Sequence, residues 1–378
     1  MASNRRPTGR TTPRKAQSPA TQPSNPSPAA PPPPNTGSQM IKVQSGDPAK
    51  DIANQHHPRV KPVIEEIQRL RNAKLITYFL AEGAAIGEDV IYWLYEHLLR
   101  IGRQDQIDLF LVSRGGATDV PWKIVTLIRE FTDKFCVLIP YQAMSAATHI
   151  CLGADEIVMT ELAQLGPVDP SRQHPLLPED KFTPPGQDPR PLSISVQDLR
   201  QFIQFIASEG SGDDLGTMRV NDPSAIYTEL MRQVHPLVIG AMEQTYTLAK
   251  QLTKSMLGLH MDASADEAKI SELADRFADY YKAHSYPISR QEAINLGLKV
   301  TPADDALRNE MWKLWKLYTG QQIHLEMQLK QPGSSTTTIQ RSADAASYVD
   351  SDSASAVGFR LSDNTGKVIG GQWFGWYP

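Results

Sequence analysis

The residues best suited to chemistry are a serine and a pair of glycines, each placed just after an apolar run. Gly115 and Gly116 follow residues 107–112, and Ser145 follows residues 135–140 at the start of a stretch of small residues. A serine that begins a helix lies beside unsatisfied N–H donors and the positive end of the helix dipole, which favours an oxyanion next to its Oγ. Glycine adopts positive φ and exposes its N–H groups. This spacing is consistent with nucleophilic chemistry at Ser145.

A helix cap is the competing interpretation of Ser145. Serine at the start of a helix most often accepts a hydrogen bond from an N–H of the first turn. The chain also lacks the G-x-S-x-G elbow that marks another class of hydrolases around this serine. On the local pattern alone, the capping role is favoured.

The elements around these residues alternate between strand and helix. Apolar runs at residues 107–112, 135–140 and 156–159 predict strands, and helical patterns follow the first two. Single helices between successive strands predict a parallel, right-handed βαβ arrangement. Because sites in such sheets form beyond the carboxyl ends of the strands, we expect the glycine pair and Ser145 at one rim.

Five motifs in a fixed order resemble the serine dehydrogenase proteinase family, a branch of the Clp-protease-like serine peptidases. They are GGATD at 115–119, the A-x-S-A-x-T helix start at 143–148, LGADEIVM at 152–159, LGPVDP at 165–170, and HSYPISRQEAINLGLKV at 284–300. The similarity extends over about residues 76–300. Because several separate motifs occur in the right order, the resemblance is specific.

The resemblance implies an α/β fold with a Clp/crotonase-like ββα superhelix core and an inserted helical arm, and composition adds a disordered N-terminal tail. It implies hydrolysis of peptide bonds in a polypeptide substrate through an acyl-enzyme on Ser145. The oxyanion hole would come from Gly115, Gly116 and the Ala146 N–H. Two alternatives stay open: a crotonase-type acyl-thioester enzyme, which needs the N–H groups but no serine, and a non-catalytic oligomeric scaffold.

The general base is where the sequence departs from the family pattern. Clp-type peptidases place a histidine after the third strand and an aspartate before the closing element, but here these places hold Asp169 and His284, in the reverse order. We expect His284 to be the base, with Asp169 as its orienting partner or as a structural turn residue. His149, one helical turn after Ser145, is the rival, and Lys181 ranks last because an exposed lysine stays protonated.

The chain divides into four predicted segments. Residues 1–40 form a disordered Pro-rich basic tail, and residues 41–75 a helical lead-in. Residues 76–300 form the peptidase domain, in which 171–260 are an inserted loop and helical arm with one long helix predicted over 223–257. Residues 301–378 form a C-terminal helix, predicted over 304–328, and a β-hairpin around residues 364–366.

Composition limits the partners. The 378 residues carry a net charge of −4, and the two cysteines exclude a disulfide framework. We predict no cofactor and no metal. The basic tail has no acidic residue before Asp47 and could hold nucleic acid weakly, but a functionless tail is favoured and no nucleic-acid partner is predicted. Without a predicted membrane span or signal peptide, we expect a soluble, cytoplasmic protein.

Association of the chain with itself is also predicted. Residues 223–257 carry a long apolar stripe, and the C-terminal end is rich in aromatic residues. Apolar surface of this extent exceeds what one core would cover, so we expect a homo-oligomer.

Overall fold

The structure, a computed structural model, describes residues 39–43, 52–179, 192–208, 223–330, 338–362 and 368–376. The strands are β1 (Gln39–Val43), β2 (Lys74–Leu80), β3 (Gln104–Val112), β4 (Thr132–Ile139), β5 (Gln142–Ala143), β6 (Glu156–Met159), β7 (Gln164–Leu165), β8 (Ser171–Gln173), β9 (Ser193–Ser195), β10 (Ile288–Ser289), β11 (Val300–Pro302), β12 (Gln321–Lys330), β13 (Thr338–Asp350), β14 (Ser355–Ser362) and β15 (Val368–Trp376).

The helices lie between and after these strands. They are α1 (His57–Arg71), α2 (Val90–Ile101), α3 (Val120–Arg129), α4 (Ala146–Leu152), α5 (Val196–Ser208), α6 (Pro223–Gln233), α7 (Pro236–Leu257), α8 (Glu267–Asp275), α9 (Arg290–Asn295) and α10 (Asp305–Thr319). Two short π-helical segments, Ile52–His56 and Arg276–Tyr280, adjoin α1 and α8.

A sheet of 10 strands organises these elements, with the order β1-β12-β13-β2-β3-β4-β6-β11. In addition, β14 pairs with β13, and β15 pairs with β14. The strands β2, β3, β4, β6 and β11 pair in parallel. This confirms the predicted parallel βαβ arrangement. The carboxyl ends of these strands form one rim of the sheet, where the site lies.

Helices cover both faces of the parallel strands. In β3, Leu109 and Leu111 pack in a core with α2, α3 and α4, whereas Phe110 and Val112 pack in a second core with α1 and α10. All four side chains are buried. A strand buried on both faces reads as a continuous apolar run, which explains why β3 was recognisable from the sequence.

The single helix predicted over residues 223–257 is wrong, because the structure has two helices, α6 and α7. The break falls at Val234 and His235, and His235 is extended, with φ −61° and ψ 135°. Pro236 disfavours the helical conformation of the residue before it, so the chain leaves one helix and starts another. Proline in the first turn of α7 was the signal for this break.

The helix predicted over residues 304–328 is also too long. It ends at Thr319, and after Gly320 the chain continues as strand β12. The sequence from Gln321 to Lys330 alternates polar and apolar residues, a period of two that favours a strand. That alternation was overlooked beside the apolar residues of α10.

The C-terminal strands are part of the main sheet. Strand β13 pairs antiparallel with β2, with Ser347 opposite Leu80 and Asp350 opposite Thr77. Strands β14 and β15 flank the predicted hairpin and pair antiparallel. The turn itself, most of the predicted N-terminal tail, Lys181 and parts of the predicted arm lie outside the described residues.

No helix in the described segments combines the length and the apolar character needed to cross a bilayer.

Candidate active site

Ser145 lies at the carboxyl end of the sheet, between β5 and α4. Its backbone has φ 53° and ψ −119°, and its side chain makes no capping hydrogen bond. The favoured capping interpretation is therefore wrong. Among the described non-glycine residues, only Asn72 also has a positive φ. A positive φ costs free energy in a residue with a Cβ, and such strain is typical of functional positions.

The glycine pair forms a turn that lies directly against Ser145. A Cβ on Gly115, which has φ 111°, would lie 2.8 Å from the Cβ of Ser145. A Cβ on Gly116, with φ 154°, would lie 2.3 Å from both the N and the O of Ile86. Backbone hydrogen bonds at 2.8 Å and 2.9 Å join Ile86 to Gly115 and Ala117. No side chain fits at either glycine, so the backbone can approach a substrate closely.

Two N–H groups beside Ser145 stay free. Within the described residues, the N–H groups of Gly116 and Ala146 have no acceptor. The Gly115 N–H, in contrast, donates to Ser113 Oγ at 2.9 Å. Gly115 therefore does not supply the donor that was predicted of it. Ser113 was missed in the sequence, although a serine just before a glycine turn is a frequent partner of the turn's backbone.

His284 and Asp169 meet across the site, although 115 positions separate them in the chain. His284 Nδ1 lies 2.9 Å from Asp169 Oδ1. The antiparallel pairing of β7 with β10 brings them together, because Asp169 follows β7 and His284 precedes β10. Asp169 is 1% exposed, and its hydrogen bond raises the pKa of His284 above the usual value. A carboxylate accepts only, so Nδ1 donates and Nε2 is left to act as a base.

His149 is buried between α4 and α7. Its Nε2 lies 3.1 Å from the carbonyl oxygen of Ala249 and 3.0 Å from Thr253 Oγ1. Because a carbonyl only accepts, the proton resides on Nε2. Burial lowers the pKa of His149 to about 4. The contacts of its Nε2 make it a link between two helices, and its Nδ1 has no partner in the described part of the chain.

These groups line one cleft. The wall of the cleft includes Ser145, Ala146, Gly116, His149 and His284, together with the small residues Ala84 and Ala85. Among the contacts of the described residues, no hydrogen bond joins Ser145 to His284. Catalytic hydrogen bonds often close only when substrate binds. A serine hydroxyl, an imidazole ring and two N–H groups without an acceptor in the described residues therefore line one cleft.

Over the described stretches, no group of three or more histidine, cysteine, aspartate or glutamate side chains is placed to hold a metal ion.

Sequence comparison places part of the chain in a known family. The family model of ClpP-like SDH-type serine proteinases matches residues 55–177. The chain is also similar to two uncharacterized proteins of Methanocaldococcus jannaschii. One is 26% identical, with 68% of this chain and 77% of the relative covered, and the other is 24% identical, with 68% and 75% covered.

Solved structures give more distant likenesses. The 1510-N membrane-bound stomatin-specific protease has a TM-score of 0.31 and 16% identity, with 61% of this chain and 79% of that chain covered. ClpP1 from Listeria monocytogenes has a TM-score of 0.30 and 15% identity, with 64% and 98% covered. Likenesses at this level do not by themselves establish a fold.

The family match covers the same part of the chain that forms most of the parallel sheet and of the cleft. The matched region contains α1, the strands β2, β3, β4 and β6, the glycine turn, Ser145 and Asp169. It confirms the predicted family, the ClpP-like α/β fold and the predicted serine-peptidase activity. Residues 55–177 match the family of ClpP-like SDH-type serine proteinases, and this match identifies the activity as that of a serine peptidase.

Proposed function

We propose that the protein hydrolyses peptide bonds through an acyl-enzyme on Ser145, with His284 as general base and Asp169 as its orienting partner. The observation that carries this proposal is the strained backbone of Ser145, with φ 53°, in the same cleft as His284, whose ring is hydrogen-bonded to the buried Asp169. A serine hydroxyl is scarcely ionised at neutral pH and needs such a base.

The chemistry proceeds in two balanced steps. In the first, His284 Nε2 takes the proton of Ser145 Oγ as the oxygen bonds to the scissile carbonyl carbon. The same proton then passes to the leaving amine as the C–N bond breaks. In the second, His284 takes a proton from water, the hydroxide oxygen bonds to the acyl carbon, and the proton returns to Ser145 Oγ as the ester breaks. Asp169 Oδ1 holds the ring and stabilises its charged form.

The N–H groups of Gly116 and Ala146 form the oxyanion hole in this proposal. Both border the cleft, and both lack an acceptor within the described residues. The Ala146 N–H also lies at the start of α4. Donors fixed in place stabilise the negative oxygen of the tetrahedral intermediate without reorganising during the reaction. Gly115 contributes by its lack of a side chain, which lets the turn lie against Ser145.

Covalent labelling tests the proposal. A fluorophosphonate probe should label wild-type protein on Ser145, and peptide mapping should identify the modified residue. Ser145→Ala should lose both labelling and hydrolysis of an unfolded protein substrate while it keeps the wild-type circular dichroism spectrum. Ser264→Ala, at an exposed turn, is the matched control and should label normally. Labelling that persists in Ser145→Ala would refute the assignment.

The same variant separates the proposal from the crotonase-type alternative. An acyl-thioester enzyme would use the two N–H donors without a serine, so its activity on an acyl thioester would survive Ser145→Ala. We expect no such surviving activity.

The proposed substrate is a polypeptide, and the proposed working state is a homo-oligomer. Leu237 on α7 is 68% exposed, and Tyr92 and Leu99 on α2 are 60% and 52% exposed. Large apolar side chains at these exposures are typical of surfaces that another molecule covers. Multi-angle light scattering at micromolar concentration should give a mass that is a multiple of the chain mass of 41.9 kDa, and a monomer would contradict this part of the proposal.

A further inference from the structure

The cleft carries one permanently charged group among its described lining residues, and that group is Arg114. Arg114 directly precedes the glycine turn, so its side chain begins two positions from the proposed oxyanion donor Gly116. The nearby carboxylate, Asp169, is buried and accepts a hydrogen bond from His284. The described wall therefore offers a cation to the substrate and no exposed carboxylate.

The guanidinium of Arg114 is only weakly engaged. Its ion pair with Glu82 spans 3.8 Å, and the two side chains are 62% and 88% exposed. Exposed pairs at such a distance contribute little, because water screens them. A substrate carboxylate can therefore replace Glu82 at small cost. Arginine also presents paired N–H donors that match a carboxylate with two parallel hydrogen bonds, which a lysine cannot do.

The rest of the site reinforces the positive potential. The amino end of α4 and the free N–H groups of Gly116 and Ala146 border the cleft and carry partial positive charges. A short helix end does not by itself make a site, but here it adds to a full charge on the same wall. Charges of one sign in a cleft raise the local concentration of ligands of opposite sign.

We infer that Arg114 is a specificity-determining residue that selects peptides bearing a carboxylate close to the scissile bond. This inference rests on the proposed function, since it assigns a substrate class to the same cleft. The carboxylate has two sources, an aspartate or glutamate side chain within the peptide and the free carboxyl group of its last residue. Both present the same two oxygens to the guanidinium.

The test compares matched fluorogenic peptides that differ only near the cleaved bond, with glutamate, glutamine or lysine at each position on either side. We expect wild-type kcat/KM to favour glutamate by about 5-fold or more at one position, the size of a partly screened charged hydrogen bond. Arg114→Gln should remove this preference, and Arg114→Glu should reverse it in favour of lysine. The wild-type preference should also weaken as the salt concentration rises.

A remote arginine provides the matched control. Arg103 is 60% exposed and pairs with Asp133 at 2.6 Å, and it precedes β3 at the end of the sheet opposite the site. Arg103→Glu makes the same change in net charge as Arg114→Glu and should keep the wild-type ratio. An equal change of the ratio in both variants would overturn the inference, because net charge alone would then explain it.

Two further arms complete the design. Amidation of the peptide's last residue removes the terminal carboxylate, so a preference that disappears on amidation identifies that source, whereas one that survives identifies the acidic side chain. Fluorophosphonate labelling of Ser145 is measured in every variant. If the wild type labels normally but shows no glutamate preference, only the inference about Arg114 is refuted. If the wild type does not label at all, the proposed function is refuted.

Discussion

At the scale of single residues, the site depends on a few backbone and side-chain positions that tolerate little change. Ser145 keeps a positive φ, and Asp169 keeps the ring of His284 in one tautomer through the 2.9 Å bond to its Nδ1. Each of these features has a consequence that substitution or pH should reveal.

In the proposed mechanism, the pH dependence of hydrolysis follows from the ionisation of His284. Its hydrogen bond to Asp169 is the main cause that raises the pKa of His284 above 6.5. Only the neutral ring accepts the Ser145 proton, so activity should be low at acidic pH and rise with pH, with a midpoint above 6.5. Profiles of kcat/KM against pH should show this midpoint in the wild type.

Removal of the Asp169 charge should shift that profile. Asp169→Asn takes away the partner that raises the pKa of His284, so the midpoint should move to lower pH while the maximal rate falls by a factor on the order of 10³. His284→Gln should lose most of the rate at every pH. An unchanged midpoint in Asp169→Asn would show that another group titrates.

Gly116 tests the close approach of the turn. In Gly116→Ala, the new Cβ would lie 2.3 Å from the backbone of Ile86, so the turn must move and take its N–H away from the oxyanion position. We expect hydrolysis to fall by a factor on the order of 10² or more. Gly102→Ala is the control, since Gly102 also has a positive φ, of 67°, but no atom within 4 Å of an added Cβ.

At the scale of elements, α4 must hold its position relative to α7. His149 on α4 bonds Ala249 and Thr253 on α7, and a Cβ on Gly153 would lie 2.7 Å from the sulfur of Met256 on α7. The helix that starts at Ser145 is thus held by the arm helix α7. This contact gives His149, inside α4, a structural role as a link to α7.

Substitutions at this contact should affect stability rather than the pH profile. His149→Gln should lower the free energy of unfolding by about 1–3 kcal/mol, because it disturbs a buried polar group, and Thr253→Val by about 1 kcal/mol. Urea denaturation measures both, and the double variant should be less destabilised than the sum, since the residues share one hydrogen bond. Loss of the pH dependence in His149→Gln, with activity retained in His284→Gln, would reverse the assignment of the base.

At the scale of the whole molecule, the C-terminal strands hold the sheet to α1 and α10 through a buried carboxylate. Asp350, at the end of β13, accepts hydrogen bonds from Tyr318 at 2.7 Å and from Ser355, and lies 2.9 Å from His56. Asp350 is fully buried. The network joins segments nearly 300 residues apart, so the C-terminal strands belong to the folded domain.

Substitution of Asp350 should be severe. Asp350→Asn replaces one acceptor oxygen with an NH2 donor, so at least one buried donor loses its acceptor, and the change should lower the free energy of unfolding by about 3–5 kcal/mol. Asp133→Asn, at an exposed ion pair, is the control and should change it by about 0.5 kcal/mol or less. A loss in Asp350→Asn as small as that of the control would show that the network contributes little.

The pH dependence of stability has a definite sign at Asp350. Burial alone would raise its pKa, but His56, Ser355 and Tyr318 bring the pKa below its usual 3.8. A carboxyl group whose pKa is lower in the folded state stabilises the fold above the unfolded value and loses this contribution as pH falls through the folded one. The wild type should therefore lose stability below about pH 3.8, and Asp350→Asn should lose less over that range.

The sequence by itself determined the features that depend on local pattern. Buried parallel strands read as apolar runs, the small residues around Ser145 and Gly116 marked the rim, and ordered motifs indicated the family. Prediction failed where local signals competed: the apolar stripe over residues 223–257 outweighed Pro236, and the apolar side of α10 hid the alternation of β12. These errors arose because the helical preference indicated by apolar spacing is weaker than the effect of a helix-breaking proline or of strand pairing.

Only the tertiary structure decided which polar groups meet. His284 and Asp169 come together through the pairing of β7 and β10. The Nε2 of His149 is instead engaged by contacts on α7. The strained φ of Ser145 and the partner of the Gly115 N–H are likewise invisible in the sequence. Hydrogen bonds act over about 3 Å, whereas these partners lie up to 115 positions apart, so only the folded chain sets their distances.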